Sequence, residues 1–74
     1  MITLEQAKRL RNGTMLSVSV GGKMIANADG TPRCYRVTGI RVWKRSPERV
    51  EIHLKKDTEN HLYDEQFLDR LSVQ

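Results

Sequence analysis

Hydrophobic and polar residues alternate one by one in two segments of the chain. A period of two is typical of a β-strand that buries one face and exposes the other. Both segments are therefore predicted to be half-buried strands. Their inward residues are Leu16, Val18, Val20, Val50, Ile52 and Leu54.

A third segment, residues 34–45, is the longest strand candidate and contains Gly39 near its middle. The apolar residues on the two sides of this glycine have opposite parity. A β-bulge or a sharp bend at Gly39 would keep all of them on one side, in the way that small barrels turn a corner. These residues are Tyr35 and Val37 before the glycine, and Ile40 and Val42 after it.

The chain opens with the spacing of a helical capping box. Thr3 can accept a hydrogen bond from the Gln6 amide while the Gln6 side chain returns to the Thr3 amide. A helix of about two turns is predicted from there to Asn12-Gly13, which supplies the stop. Its apolar face contains Leu4, Ala7 and Leu10.

Turn signals separate the remaining elements. Gly21-Gly22 predicts a tight hairpin that returns as a short strand over residues 23–27, and Asp29-Gly30 predicts a second turn. Residues 46–49 have proline at the second position, which favours a type I turn.

The C-terminal part is predicted to contain less regular structure. Residues 56–60 are interpreted as a polar loop. Asp64 can cap a single helical turn that carries Phe67, Leu68 and Leu71. Residues 72–74 can then form a short edge strand.

Together these elements predict a mainly β fold with a minor α component, in one domain over residues 1–74. Four to five antiparallel strands, a short N-terminal helix and one helical turn near the C-terminus favour a small SH3-like barrel. An OB-like barrel is the alternative, and it usually needs more residues.

Several turn and core segments carry a family resemblance. They are Ile2-Thr3-Leu4-Glu5-Gln6-Ala7, Asn27-Ala28-Asp29-Gly30-Thr31-Pro32, Tyr35-Arg36-Val37, Gly39, Trp43-Lys44-Arg45, Pro47, Arg49-Val50 and Leu62-Tyr63-Asp64. In these segments the chain resembles short phage- and prophage-encoded proteins of uncharacterised role. The resemblance covers most of the chain and implies a phage or prophage source and an SH3-like fold. It includes no catalytic signature and assigns no site residue.

Cysteine content and hydropathy narrow the class of protein. Cys34 is the only cysteine, which excludes an intramolecular disulfide and a cysteine-based zinc site and fits a reducing compartment. No apolar run approaches the roughly 20 residues that a membrane helix needs. We therefore expect no membrane partner and a cytoplasmic location, and the resemblance to phage-encoded proteins implies that the cell is a bacterial host.

Charge is strongly concentrated in the middle of the chain. Residues 33–56 contain eight positive side chains against the negative Glu48 and Glu51, whereas residues 57–74 are acidic. A charge distribution of this kind indicates which ligands the surface attracts, and it does not depend on the fold class. The positive residues are Arg33, Arg36, Arg41, Lys44, Arg45, Arg49, Lys55 and Lys56.

The position of Trp43 depends on the length of the following turn. A four-residue connection pairs Trp43 with Ile52 and buries the indole, which is the arrangement favoured by the weight of large aromatics in small cores. A five-residue connection places Val42 opposite Ile52 and Trp43 outside, beside Arg41. In that case the indole is a stacking platform among arginines.

Catalytic and metal chemistry receive little support. Cys34, His53 and His61 have no spacing that joins them into a nucleophile and base. His53 and His61 with Asp57 and Glu59 match no compact metal motif, so these residues are interpreted as a strand surface and a solvated loop. No catalytic residue, cofactor or metal is predicted.

The leading hypothesis is a non-catalytic binding module, a phage or prophage accessory protein whose basic sheet face binds nucleic acid. Phosphates would supply most contacts, with Trp43 or Tyr35 stacking a base. The alternative is a protein–protein interaction factor or inhibitor that covers an acidic host-protein surface, or a chain that forms a homo-oligomer through its edge strands. The candidate binding residues are Arg36, Arg41, Trp43, Lys44, Arg45, Arg49 and Lys55.

Overall fold

The computed structural model describes residues 1–74 as one antiparallel sheet with two short helices. The order in the sheet is β2-β1-β3-β4-β5, and β6 also pairs with β1. This confirms the mainly β prediction. The sheet has six strands, one more than expected, and it is open. The elements are α1 (Leu4–Lys8), β1 (Met15–Val20), β2 (Lys23–Met24), β3 (Cys34–Val42), β4 (Val50–Lys56), β5 (Glu59–Asp64), a 3-10 helix (Glu65–Arg70) and β6 (Leu71–Val73).

The core lies between one face of the sheet and the two helices. Residues predicted to point inward from β1 and β4 are fully buried there, with the exception of Val20 at the end of β1, which is exposed. Ser17, predicted to face outward, is also buried, because β6 pairs beside it and the Gln74 side-chain amide donates to its Oγ. The core consists of Ile2, Ala7, Leu16, Val18, Tyr35, Val37, Val50, Ile52, Leu54, Leu68 and Leu71.

The predicted bulge in β3 is confirmed. Val37 is paired with Leu54 and Gly39 with His53, so Thr38 is the extra residue, and its hydroxyl donates to the His53 carbonyl. The extra residue shifts the alternation of inward and outward side chains by one position. Tyr35 and Val37 before the bulge and Ile40 after it therefore all contact the core. Val42 is the exception, since it is 51% exposed beyond the end of the core.

The N-terminal capping box is formed by both expected hydrogen bonds between Thr3 and Gln6. The helix itself is shorter than predicted and ends at Lys8. The following backbone turns early because it pairs with β3, where the Gly13 amide donates to the Val37 carbonyl. No helix of the chain has the length and apolar character to cross a bilayer.

The prediction of a polar loop over residues 56–60 was wrong. Lys56 pairs with Glu59, and Asp57 and Thr58 form a two-residue turn in which Asp57 has φ 53°. Aspartate tolerates this left-handed conformation better than most residues do. The turn creates β5, an edge strand whose six residues pair with Glu51 to Lys56 of β4.

The other predicted turns are present. Gly21 and Gly22 have φ 60° and 80° and join β1 to β2. The Arg49 amide donates to the Ser46 carbonyl at 2.9 Å, as a four-residue turn requires. Asp64 caps the 3-10 helix by accepting from the Gln66 amide.

Candidate nucleic-acid interface

The face of β3 and β4 that points away from the core is called here the outer face. Its side chains alternate with the buried ones, and most of them are exposed. Arginine and lysine therefore gather on one side of these two strands. The cross-strand pairs on the outer face are Arg36 with Lys55, Gly39 with His53, and Arg41 with Glu51.

The connection between β3 and β4 has neither of the two predicted lengths. Val42 is paired with Val50, which leaves seven residues between the strands. Register partners share a face of the sheet, so Val42 lies on the same side as the buried Val50. The next residue, Trp43, therefore points to the outer face. The preference for a buried Trp43 was thus wrong, because the indole is only partly covered and lies outside the core cluster.

Two guanidinium groups cover the indole of Trp43. The Cζ atom of Arg41 lies 4.9 Å from the ring centroid and that of Arg49 lies 4.2 Å from it. Cation–π contacts of this kind contribute roughly 0.5–1 kcal/mol each at exposed sites. They hold both arginines close to the aromatic ring, and Arg41 has no carboxylate within 4.0 Å.

Lys44 and Arg45 follow Trp43 in the same connection, and both are exposed. Neither lies within 4.0 Å of an acidic group. Five of the seven predicted binding residues are therefore close together along the chain and at one end of the hairpin. This cluster, called the hairpin tip, consists of Arg41, Trp43, Lys44, Arg45 and Arg49.

The remaining two predicted binding residues, Arg36 and Lys55, lie at the opposite end of the same face. Their Cα atoms are register partners in β3 and β4. Together they line an open depression of about 440 Å³, which is called the basic depression. The residues lining it are Met15, Cys34, Arg36, Lys55, Lys56 and Asp57.

The acidic C-terminal segment does not cover the outer face. Glu65 approaches Arg49, with 3.8 Å between Oε1 and Nε, and Glu59 forms an ion pair with Arg33. The other cations of residues 33–56 have no carboxylate within 4.0 Å. They are Arg36, Arg41, Lys44, Arg45, Lys55 and Lys56.

A cluster that the sequence did not reveal joins β3 to β5. Arg33 lies over the Tyr35 ring, whose centroid is 5.2 Å from that of His61 in an edge-to-face contact. His61 Nε2 is 3.7 Å from Glu59 Oε1. Tyr35 is only 5% exposed, so its predicted stacking role was wrong. These contacts depend on β5, which the sequence pattern did not predict.

The histidines are separated by the sheet. His53 is exposed on the outer face, whereas His61 faces the opposite side beside Tyr35. No three side chains among histidine, cysteine, aspartate and glutamate converge as metal ligands would.

Comparisons with protein-family models, with curated proteins and with solved structures give no significant match.

Proposed function

We propose that this chain is a non-catalytic module that binds nucleic acid through the outer face of β3 and β4. The observation that supports the proposal is the hairpin tip, where Arg41 and Arg49 flank an indole outside the core. Arginine packed on a partly exposed indole offers a charge for a phosphate, and the guanidinium plane or the uncovered part of the ring offers a flat surface for a base.

Unpaired positive charge supports the same proposal. Arg36 and Lys55 are register partners and carry like charges, which destabilises a strand pair. A phosphate between them would remove that repulsion and release its own counterions. Because no carboxylate has to be displaced first, binding would not break an existing ion pair there.

The proposal includes an SH3-like arrangement and a phage or prophage accessory role in the bacterial cytoplasm. The return of β6 to β1 after a 3-10 helix supports the first. The second depends on the resemblance to short phage-encoded proteins.

The test is a titration of a labelled oligonucleotide at several salt concentrations, with the double variant Arg41→Glu, Arg45→Glu beside the native protein. We expect affinity to fall steeply with salt, and we expect the variant to lose measurable binding. The matched control is Arg11→Glu, Lys23→Glu. It makes the same change in net charge at exposed residues outside the hairpin tip and the basic depression.

Equal losses in both double variants would show that net charge alone attracts the oligonucleotide, and the outer face would not be the site. Tight binding that neither salt nor charge reversal weakens would reject the proposal as a whole. Circular dichroism of each variant confirms that the fold is retained.

A protein partner is the second candidate, and β5 supports it. One edge of this strand is unpaired in the sheet, and Leu62 on it is 55% exposed. Edge strands of this kind pair readily with another chain. Capture from bacterial lysate with and without nuclease separates the candidates, since nuclease removes a nucleic-acid partner and leaves a protein bound.

A further inference from the structure

We infer that the ligand is a single strand that runs along the outer face, with a base on Trp43 and a backbone phosphate in the basic depression. This inference rests on the proposed function and specifies its ligand and its footprint. It depends on two cationic sites that share one face and are separated by a path without positive charge.

The basic depression has the composition of a phosphate site. Arg36, Lys55 and Lys56 line it, opposed by the single carboxylate of Asp57. A guanidinium can donate two parallel hydrogen bonds to a phosphate, and ammonium groups add charge from the sides. The depression is open, as a site on a continuous backbone must be.

The space between the two sites can accommodate a strand. Gly39 and His53 form the cross-strand pair there, and a side chain added at Gly39 would meet no atom within 4 Å. The exposed imidazole of His53 is the largest group on this path. The glycine therefore keeps the backbone of β3 open to an approaching chain.

The distance between the hairpin tip and the basic depression determines the minimum length of a strand that can contact both. Arg49 at the hairpin tip is six residues before Lys55, and at about 3.3 Å per residue they are about 20 Å apart. With a rise of 3.4 Å per nucleotide, that distance corresponds to about six nucleotides, and to fewer in a more extended strand.

The hairpin tip favours a single strand over a duplex. Stacking at Trp43, on the uncovered part of the ring or on a guanidinium packed against it, requires the face of a base, and in a duplex both faces are covered by neighbouring base pairs. A free strand has accessible faces at every nucleotide.

The test uses the fluorescence of Trp43, the only tryptophan in the chain. The probes are oligothymidylates of about three and about eight nucleotides, lengths below and above the span between the two sites, and a duplex of the longer length. We expect both single strands to quench the emission, the longer one to bind at least tenfold more tightly, and the duplex to cause little quenching.

The variant Arg36→Gln, Lys55→Gln isolates the depression. We expect it to reduce the affinity of the longer strand to that of the shorter one and to leave the shorter one unchanged. The slope of log affinity against log salt should fall by about 0.7, since the variant loses its contact to the one phosphate of a single strand that the depression holds. The control Arg11→Gln, Lys23→Gln removes equal charge elsewhere and should preserve the length dependence.

Equal affinities for the two lengths, or equal quenching by the duplex, would overturn the inference while salt-sensitive binding at Arg41 and Arg45 still supported the proposed function. Absence of salt-sensitive binding to every probe would overturn both.

Discussion

At the scale of single residues, the indole of Trp43 is covered by neighbouring side chains and not by the core. The indole lies outside the core, and the guanidinium groups of Arg41 and Arg49 cover part of it. Each arginine lies over the ring and remains exposed to solvent. The contact therefore protects an apolar surface and presents charge at the same time.

Tyr63 provides a prediction about pH. Burial raises the pKa of its phenol, the nearby Tyr35 raises it further, and Arg70 lowers it. Because the folded state holds this proton more tightly than the unfolded state, the contribution of Tyr63 is complete below its ordinary pKa of 10.0 and is lost as pH rises above that value. The free energy of unfolding, measured with denaturant below and above pH 10.0, should fall less in Tyr63→Phe than in the native protein. An equal fall in the free energy of unfolding in both proteins would show that other groups cause the dependence on pH.

At the scale of elements, the β3–β4 hairpin joins the two cationic sites, and its bulge determines which side chains form them. Arg36 precedes Thr38 and Arg41 follows it, yet both face outward, because the extra residue changes the parity between them. A regular strand would place one of the two arginines on the core side. The bulge is thus required for the core and for the outer face together.

Deletion of Thr38 tests this role. Without the extra residue, Tyr35 with Val37 or Ile40 would have to leave the core side, and we expect the chain not to fold. Thr38→Ala keeps the residue count and removes only the hydrogen bond from the hydroxyl to the His53 carbonyl, at a cost of about 1 kcal/mol. Chemical denaturation followed by circular dichroism compares the two. A cooperative transition of native stability in the deletion variant would contradict the assignment of the bulge.

At the scale of the whole molecule, positive and negative charge are separated. Unpaired cations lie on the outer face and the hairpin tip, while Glu59 and Glu65 face Arg33 and Arg49 near β5. The net charge is +4, and six of the eight cations of residues 33–56 have no carboxylate within 4.0 Å. The same separation produces a directional field that steers a polyanion toward one face.

The balance of these charges predicts how salt affects stability. Screening of the like-charged pair Arg36–Lys55 and its neighbours should raise the thermal midpoint as ionic strength increases from about 0.01 M to about 0.15 M, where the Debye length falls from about 30 Å to about 8 Å. Calorimetry in a non-coordinating salt measures the shift, and Lys55→Gln should reduce it. A midpoint that falls with salt would show that the ion pairs of Arg33 and Arg49 dominate.

The features that the sequence alone determined are local ones. The capping box, the Gly21-Gly22 turn, the bulge beside Gly39, the cap at Asp64 and the alternation in β1 and β4 each depend on residues a few positions apart. Backbone sterics and the period of side chains decide them before any tertiary contact forms. The total charge and its concentration in residues 33–56 were determined in the same way.

Only the tertiary structure decided the strand β5, the seven-residue connection, the position of Trp43 and the carboxylates that reach Arg33 and Arg49. Each depends on register between segments that are distant in the chain, and register is set by how the whole core packs. A shift of one residue would direct Trp43 to the opposite face. The charge of the candidate interface was therefore encoded locally, whereas its shape was determined by the pairing of β3, β4 and β5.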